Sequence, residues 1–483
     1  MDLGRRDHPQ HTGSADNVDP SSAAALGAAI PAAHLTGRVV RPGDADYPAA
    51  AAGWNQLFVH HPAVIVFAQE TQDVVNALSW ARQNGVAVRV RSGRHSLGGW
   101  SNVDDGIVID VSDLKSARID AVAGIATVGA GLNQMEAVAA LGEHGLAAAT
   151  GTEGTVGLVG ATLGGGFGLL TRNLGMASDS LLGAEVVVAP GPNGAEVITV
   201  DENNHTDLLW ALRGAGNGNF GVVTSLTYRV HALARVVYIR AAWSGFDQLP
   251  IVFDAWQRFA PHTDNRLTSQ LEIHSDAILL FAVLVAGSEA EAERLLSPIL
   301  SVGKPDVSMT DSRWPDTYAG FQTPTRNEAA NWKFFSQFIT EPFPPAALAV
   351  ICSFMSAAPT ADCNYFANAF GGRVKDSEPA GGSAFAHRGA LFYAEPGAGW
   401  GTRGGLPAAE DPLTAKAIAW ITEFTCAMRP YVDGAYVNVP NTGMAEWQTA
   451  YWGSNVERLR TIKAQYDPHD VFHFEQSIPP AVG

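Results

Sequence analysis

The chain has 483 residues, 46% of them hydrophobic and only 16% charged. That suits a large buried core, with length for about two to four domains of roughly 150 residues each. A net charge of −17 and the absence of a long Lys/Arg block exclude nucleic acid as an expected partner, since phosphate binding needs clustered positive charge. No apolar run approaches the roughly 18 residues of a membrane helix. Cys352, Cys363 and Cys426 are odd in number and lack CxxC spacing, so ordinary thiols are expected, with no disulfide framework and no metal site.

In chain order, Arg5-Arg6 is followed by Asp, His, Pro and Gln, a poor export signal. Residues 1–35 are therefore expected to be a disordered start to a cytoplasmic protein. "HPAVIVFAQ" reads as a strand, and "TQDVVNALSWARQNG" as a helix stopped by Gly85. His60-His61 before that strand has no ligand-like partner at useful spacing. "VAVRVRSG" alternates like a strand and runs into "RSGRHSLGGW" (91–100). "GIVIDVSDL" and "IATVGAG" read as strands, and "LNQMEAVAALGEHG" as a helix. "LLGAEVVVAPGPNGAEVITV" reads as a hairpin turning at Pro192-Asn193-Gly194. Helix, glycine loop and strand follow in "TDLLWALRGAGNGNFGVVTSLTYRV". The pattern predicts an α+β fold. Near 235 glycine thins and strand-like and helix-like segments alternate. A first domain over 36–235, a second over 236–430 and a C-terminal return over 431–483 are expected.

Three stretches, 91–101, 151–168 and 214–224, combine glycines with small polar residues. Glycine lets backbone N–H groups converge on an anion. "GAGNGNFG" lies after a helix and before a strand, the reverse of a dinucleotide fingerprint. Three such stretches within one region point to a single extended, pyrophosphate-bearing ligand.

Together, "VRSGRHSLGGWS", "GTVGLVGATLGGGFGLLTRNLG", "WALRGAGNGNFGVVT" and "YDPHDVFHFEQSIPP" resemble the berberine-bridge-enzyme-like FAD-linked oxidases of the vanillyl-alcohol-oxidase superfamily. The resemblance implies a two-part FAD domain, plus a substrate domain whose antiparallel sheet, backed by helices, roofs the flavin. It also implies that His95 is bonded covalently to the flavin 8α-methyl carbon. Arg94 stands where the motif usually has glycine and either pairs with a phosphate or faces solvent. Around His95 the expected cofactor-binding residues are Arg91, Ser92, Gly93, Arg94, Ser96 and Gly99. The second stretch supplies Gly151, Thr152, Thr155, Val156, Gly157, Gly160, Gly164, Gly165 and Gly168. Gly221, Val223 and Asn455 complete the set, Asn455 being either a flavin-site residue or a helix cap.

Relatives often carry a second tether, a cysteine, where this chain has Glu153, so a single covalent link is expected. Val156 falls on the position thought to gate oxygen, which resembles an oxidase. Alcohol oxidation needs a base for the O–H proton while hydride leaves for flavin N5. The tyrosine that relatives use in "Y-x-N-Y" is Val439 here, while Tyr436 and Asn438 remain. In "FAHRGALFYAEPGAGW" the family's catalytic carboxylate falls on Glu395. "EPGAG" also reads as a turn, which would put Glu395 on a loop. Tyr393, two residues away, shares a strand face with it and either bonds the substrate or packs. Glu395, Tyr393 and Asn438 are thus the expected catalytic residues. His387-Arg388 is expected to stabilise the domain contact.

The resemblance implies oxidation of a small or medium organic substrate, with molecular oxygen as acceptor and hydrogen peroxide as product. Amine oxidation of the hydroxynicotine type, sugar or oligosaccharide oxidation, and a non-redox binding or cyclisation role are the alternatives.

Overall fold

The structure, a computed structural model, describes residues 34–192, 194–322 and 328–482. The expected disordered start up to residue 33, and Asn193 of the expected turn, lie outside these residues.

The first sheet holds β1 (Arg38–Val40), β2 (Val64–Phe67), β3 (Val88–Arg91) and β4 (Ile107–Asp110) in the order β1-β2-β4-β3. β4 runs parallel to both β2 and β3, and every residue of β2 and β4 is buried, as expected for strands covered on both faces. The helix Thr71–Gln83 connects β2 to β3. It starts on a Glu70/Asp73 capping box and buries Val74, Ala77, Leu78 and Ala81.

Next come β5 (Ala117–Asp120), β6 (Ile125–Gly129), the short β7 (Leu146–Ala147), β8 (Leu181–Val188), β9 (Glu196–Asp201), β10 (Val222–Arg229) and β11 (His231–Ala232). They form an antiparallel sheet β5-β6-β10-β8-β9 and a β7–β11 pair.

A second body of sheet follows: β12 (Val236–Ser244), β13 (Leu267–Ile273), β14 (Ala277–Val285), β15 (Asp306–Ser312), β16 (Asn331–Phe334), β17 (Gln337–Ile339), β18 (Asn364–Ala369) and β19 (Phe392–Trp400). Its order is β15-β12-β14-β13-β18-β19-β16, with β17 also on β19. All its pairings are antiparallel. One face packs on helices Leu249–Phe259, Pro345–Ser356 and Thr414–Met428 through Phe253, Trp256, Ile351, Ile421 and Phe424.

The chain then returns to the first core, to which Tyr451, Trp452, Leu459, Ile462 and Phe472 belong. Buried Lys463 pins the returning helix, donating to Asp467 Oδ2 and to the Asn219 and Phe472 carbonyls at 2.7–2.8 Å. Arg172 locks the two bodies together, its guanidinium bonding the carbonyls of Pro261, Thr263, Asp264, Leu267 and Phe370. Arg388 adds an ion pair to Asp179, and His387 stacks on Phe338 at 4.0 Å while bonding the Tyr451 carbonyl. Among the described residues no helix is long and apolar enough to cross a membrane. No cluster of possible metal ligands occurs among them either; His60 instead bonds Asp104.

Candidate active site

Strand β3 ends at Arg91, whose guanidinium is buried against Asp110 at 2.8 Å and the Ala50 carbonyl at 2.7 Å. This anchors the turn that follows. The turn crosses the second glycine stretch backbone to backbone: a Cβ added to Gly93 would lie 2.1 Å from the Gly157 nitrogen. Neither position can carry a side chain without moving the chains apart.

At this crossing lies a cleft of about 240 Å³. Arg91, Ser92, Gly93, Arg94, His95, Ser96, Val156, Gly157, Gly160, Gly221, Val223 and Asn438 all line it. All three glycine stretches therefore converge, joined by returning residues including Val437, Pro440 and Phe474.

His95 Nε2 lies 3.0 Å from Thr155 Oγ1, and the ring stacks on Trp54 at 5.1 Å. Burial pushes its pKa down to about 4, so the imidazole is neutral at physiological pH. Nδ1 makes no hydrogen bond among the described residues. Arg94, which lines the cleft, donates from Nη1 to the Ala49 carbonyl at 2.7 Å, and its Nε lies 3.7 Å from Asp110. Its φ of +63° is the left-handed conformation that favours glycine.

The donor set of the cleft fits FAD. Arg89 Nε, Arg91 Nη1 and Asn217 Oδ1 are buried without a hydrogen-bond partner among the described residues, and all three residues line the cleft. Such orphans are costly unless a polar ligand meets them. The closely approached glycine backbone and the neutral imidazole complete a cradle of the kind a pyrophosphate-linked flavin requires.

Other expected residues support the cleft from behind. Gly151 accepts at its carbonyl from Tyr318 and donates to Gln134 Oε1. Thr152 Oγ1 accepts from Gln270 on β13. Gly168 packs on the Thr150 carbonyl, Gly164 faces the amides of Asn438 and Asn217, and Gly165 faces Tyr436. Gly99, at φ +75°, packs on Phe58. Asn455 is not among the residues lining the cleft; its side chain donates to the Ala384 carbonyl and makes no cap bond. The starting turn of its helix leads the amide toward 384, not the cleft.

Asn438 links the cleft to the second sheet. Its Nδ2 donates to the Ala161 carbonyl and to Tyr436 Oη, and its Oδ1 accepts from Asn217. Tyr436 Oη also accepts from the Gly166 N–H, which leaves its own proton without an acceptor among the described residues. The Tyr436 ring meets Tyr393 edge to face at 5.7 Å. Val439 packs against the same aromatic cluster, with Phe167, Phe338, Phe370 and Phe385.

"EPGAG" is strand, not turn: β19 runs through it to Trp400. Strand pairing overrides the local turn signal, since Pro396 keeps a carbonyl that accepts from the Phe335 N–H. Gly397 and Gly399 lie where the rings of Phe334 and Trp332 press on the backbone. Glu395 and Tyr393 consequently share the helix-free face, and the Tyr393 hydroxyl donates to Glu395 Oε2. Burial pushes Glu395 up to about 7, against the opposing hydrogen bond, and pushes Tyr393 well above the usual phenol range. The pair is therefore a protonated phenol holding a carboxyl that titrates near neutrality.

Sequence reasoning passed over Trp54, Asn217 and Phe474. Trp54 sits on an aperiodic segment. Asn217 lies inside a quoted glycine loop, where its small polar neighbours hid it. Phe474, stacked on Trp100 at 5.3 Å, was readable only as part of the C-terminal motif.

Comparison with known proteins agrees with this geometry. The FAD binding domain family matches residues 62–192, and the berberine and berberine-like family matches 435–479. The FAD-linked oxidoreductase YgaK of Bacillus subtilis is 37% identical over 449 residues, covering 92% of this chain and 97% of that protein. (R)-6-hydroxynicotine oxidase of Paenarthrobacter nicotinovorans is 37% identical over 201 residues, 42% of this chain and 43% of that protein. The solved structure of BBE-like 1 from Physcomitrella patens superposes with a TM-score of 0.85 at 25% identity, covering 93% of this chain and 98% of that one. A cleft framed by three glycine stretches beside an antiparallel roof, and full-length similarity to such proteins, place the chain in the berberine-bridge-enzyme-like family of FAD-linked oxidoreductases.

Proposed function

We propose that the protein is an oxidase that takes two electrons from a small or medium organic alcohol, with FAD carried on a single covalent bond to His95. FAD, when bound, supplies the two-electron acceptor that dioxygen reoxidises with release of hydrogen peroxide. Neutral His95 offers Nδ1 as the attachment atom if Nε2–H donates to Thr155, the tautomer that leaves the Nδ1 lone pair free. Glu153 cannot form a thioether, which supports one link and not two. Val156, a small side chain lining the cleft, supports oxygen as acceptor.

The observation that carries the reading is the Tyr393–Glu395 pair on the open sheet face. Glu395 takes the substrate hydroxyl proton, because a carboxylate with a pKa near 7 is matched to base catalysis at neutral pH. Tyr393 orients it, and Asn438 with Tyr436 fixes the boundary between cleft and substrate. Glu395→Gln lowers kcat by roughly 10²–10⁴, measured as peroxide release, without releasing colour from acid-precipitated protein. In the parent protein kcat/KM rises with pH through about 7, since only the deprotonated carboxylate accepts a proton. An unchanged rate in the variant removes Glu395 from this role.

Amine oxidation is a second reading. Val439 in place of tyrosine, and similarity to the hydroxynicotine oxidase over 42% of the chain, favour it. A neutral amine needs no strong base, so its oxidation would be insensitive to Glu395→Gln.

A further inference from the structure

The helix-free face of the second sheet can be laid out row by row from its register. Glu395 sits opposite Phe366, which sits opposite Glu272. One step outward along β19, Gly397 is flanked by Asn364 on β18 and Phe334 on β16. One step further, Gly399 is flanked by Trp332. Same-face steps are about 7 Å.

Trp332 and Phe334 stand on this face as parallel slabs, 5.0 Å apart and 8° from coplanar. The Arg403 guanidinium lies over Trp332, 5.9 Å from its centroid. Among the described residues Phe334 makes no ring contact besides Trp332. The next place in this stack is therefore its other face, on the side of Glu395. At that level β16 has ended and β17 has not begun. Of the two joining residues, Phe335 packs on the helix-covered core and Ser336 turns its hydroxyl to Asn441 and the Tyr436 carbonyl, so no β16 or β17 strand residue pairs with Glu395. Phe334, Phe366 and Glu395 are mostly but not fully buried there.

A second observation marks the same spot. Asn364 Oδ1 is buried without a hydrogen-bond partner among the described residues. It lies so close over Gly397 that a Cβ there would come within 2.5 Å of it. The same Cβ would come within 3.0 Å of the Phe334 ring. An acceptor in want of a donor thus sits beside an aromatic face in want of a partner, over a glycine that keeps the floor flat.

We infer that this slot binds a planar aromatic ring of the substrate, stacked on Phe334 and giving a hydrogen bond from a ring-borne O–H or N–H to Asn364, so that the oxidisable substituent lies at Glu395. A saturated ring has CH edges and no π face to continue the stack, and it matches the slot less well. The inference rests on the proposed function only for what happens at Glu395; the binding slot stands by its own geometry.

The test is equilibrium binding to the flavin-loaded protein, read from perturbation of the flavin spectrum. The probes are 4-hydroxybenzyl alcohol, its saturated counterpart trans-4-(hydroxymethyl)cyclohexanol, and 4-methoxybenzyl alcohol, which lacks the donor. The aromatic diol binds more tightly than the saturated one. Phe334→Leu weakens the aromatic diol about three- to tenfold and leaves the saturated one unchanged, while Phe334→Tyr keeps the preference. Asn364→Ala removes the advantage of the hydroxy over the methoxy probe. Equal affinity for the two diols overturns the inference, as does equal weakening of both by Phe334→Leu, or no binding of the aromatic diol up to its solubility. Loss of the base role shows separately, as undiminished turnover in Glu395→Gln with these binding ratios intact.

Discussion

The cofactor cleft is made of backbone, whereas the adjoining sheet face is made of side chains. At the cleft, Gly93 and Gly157 touch main chain to main chain, and that close crossing brings His95, Arg91 and Asn217 to one space. On the sheet, Gln270, Asn368, Tyr393 and Phe338 form one row across four strands, and Glu272, Phe366 and Glu395 form the next. The shape of the first region depends on positions that carry no side chain. In the second it depends on which side chain every other residue carries. The first region can hold one kind of ligand through many sequence changes; the second can change its ligand through one.

Breaking the joint between the regions has the largest expected effect. Arg172 belongs to the cleft-bearing body, and its guanidinium is spent on five carbonyls of the other. Burial lowers its pKa to about 10, still far above neutrality, so it carries its charge into this socket. Arg172→Met strands those carbonyls in a dry interface. It should cost roughly 3–5 kcal/mol in denaturant unfolding, with the second sheet losing amide protection before the first.

The comparison sharpens at the crossing itself. In Gly93→Ala the new Cβ must displace the Gly157 backbone, which is not the yielding tip of a side chain. Flavin content after reconstitution should fall to a small fraction of the parent value, with the second sheet still folded by its tryptophan fluorescence. A conservative change at Glu395 should do the reverse, leaving flavin content intact while chemistry is lost.

The same contrast explains what could be read in advance. The glycine stretches, His95 and the hairpin of β8 and β9 lie in contiguous segments, where spacing carries the information. Glu395 was legible only through a motif, because its own neighbourhood "EPGAG" obeys turn chemistry, and it becomes strand through β16 and β18 on either side. The Trp332–Phe334 stack and the unpaired Asn364 Oδ1 were not legible at all. The stack itself is a local i, i+2 pair on β16, but its place beside Glu395, like that of Asn364, depends on pairing with β19 more than 30 residues away, which no local period encodes. Asn455 lies in the returning segment outside the quoted motifs, and its amide reaches the Ala384 carbonyl.

The smallest expected effect lies on β16, between the stacked Trp332 and Phe334 but on the opposite face of the sheet. Lys333 pairs with Ala398 of β19 and is 7% exposed. Its ammonium meets the Thr442 hydroxyl and the face of Phe335, and no carboxylate forms an ion pair with it among the described residues. Burial lowers its pKa to about 8. The unfolded chain therefore holds this proton more tightly than the native one, and the native state is disfavoured most at pH values below about 8. That penalty shrinks as pH rises through about 8 and is gone above the ordinary lysine value of 10.5. Lys333→Met keeps the length of the side chain and removes the charge. It should raise stability by about 1 kcal/mol at pH 7, and the gain should fade between pH 8 and 10.5. A gain that stays constant with pH would mean that packing, not charge, separates the two proteins. Turnover should not change, because Lys333 lies on the face away from Glu395.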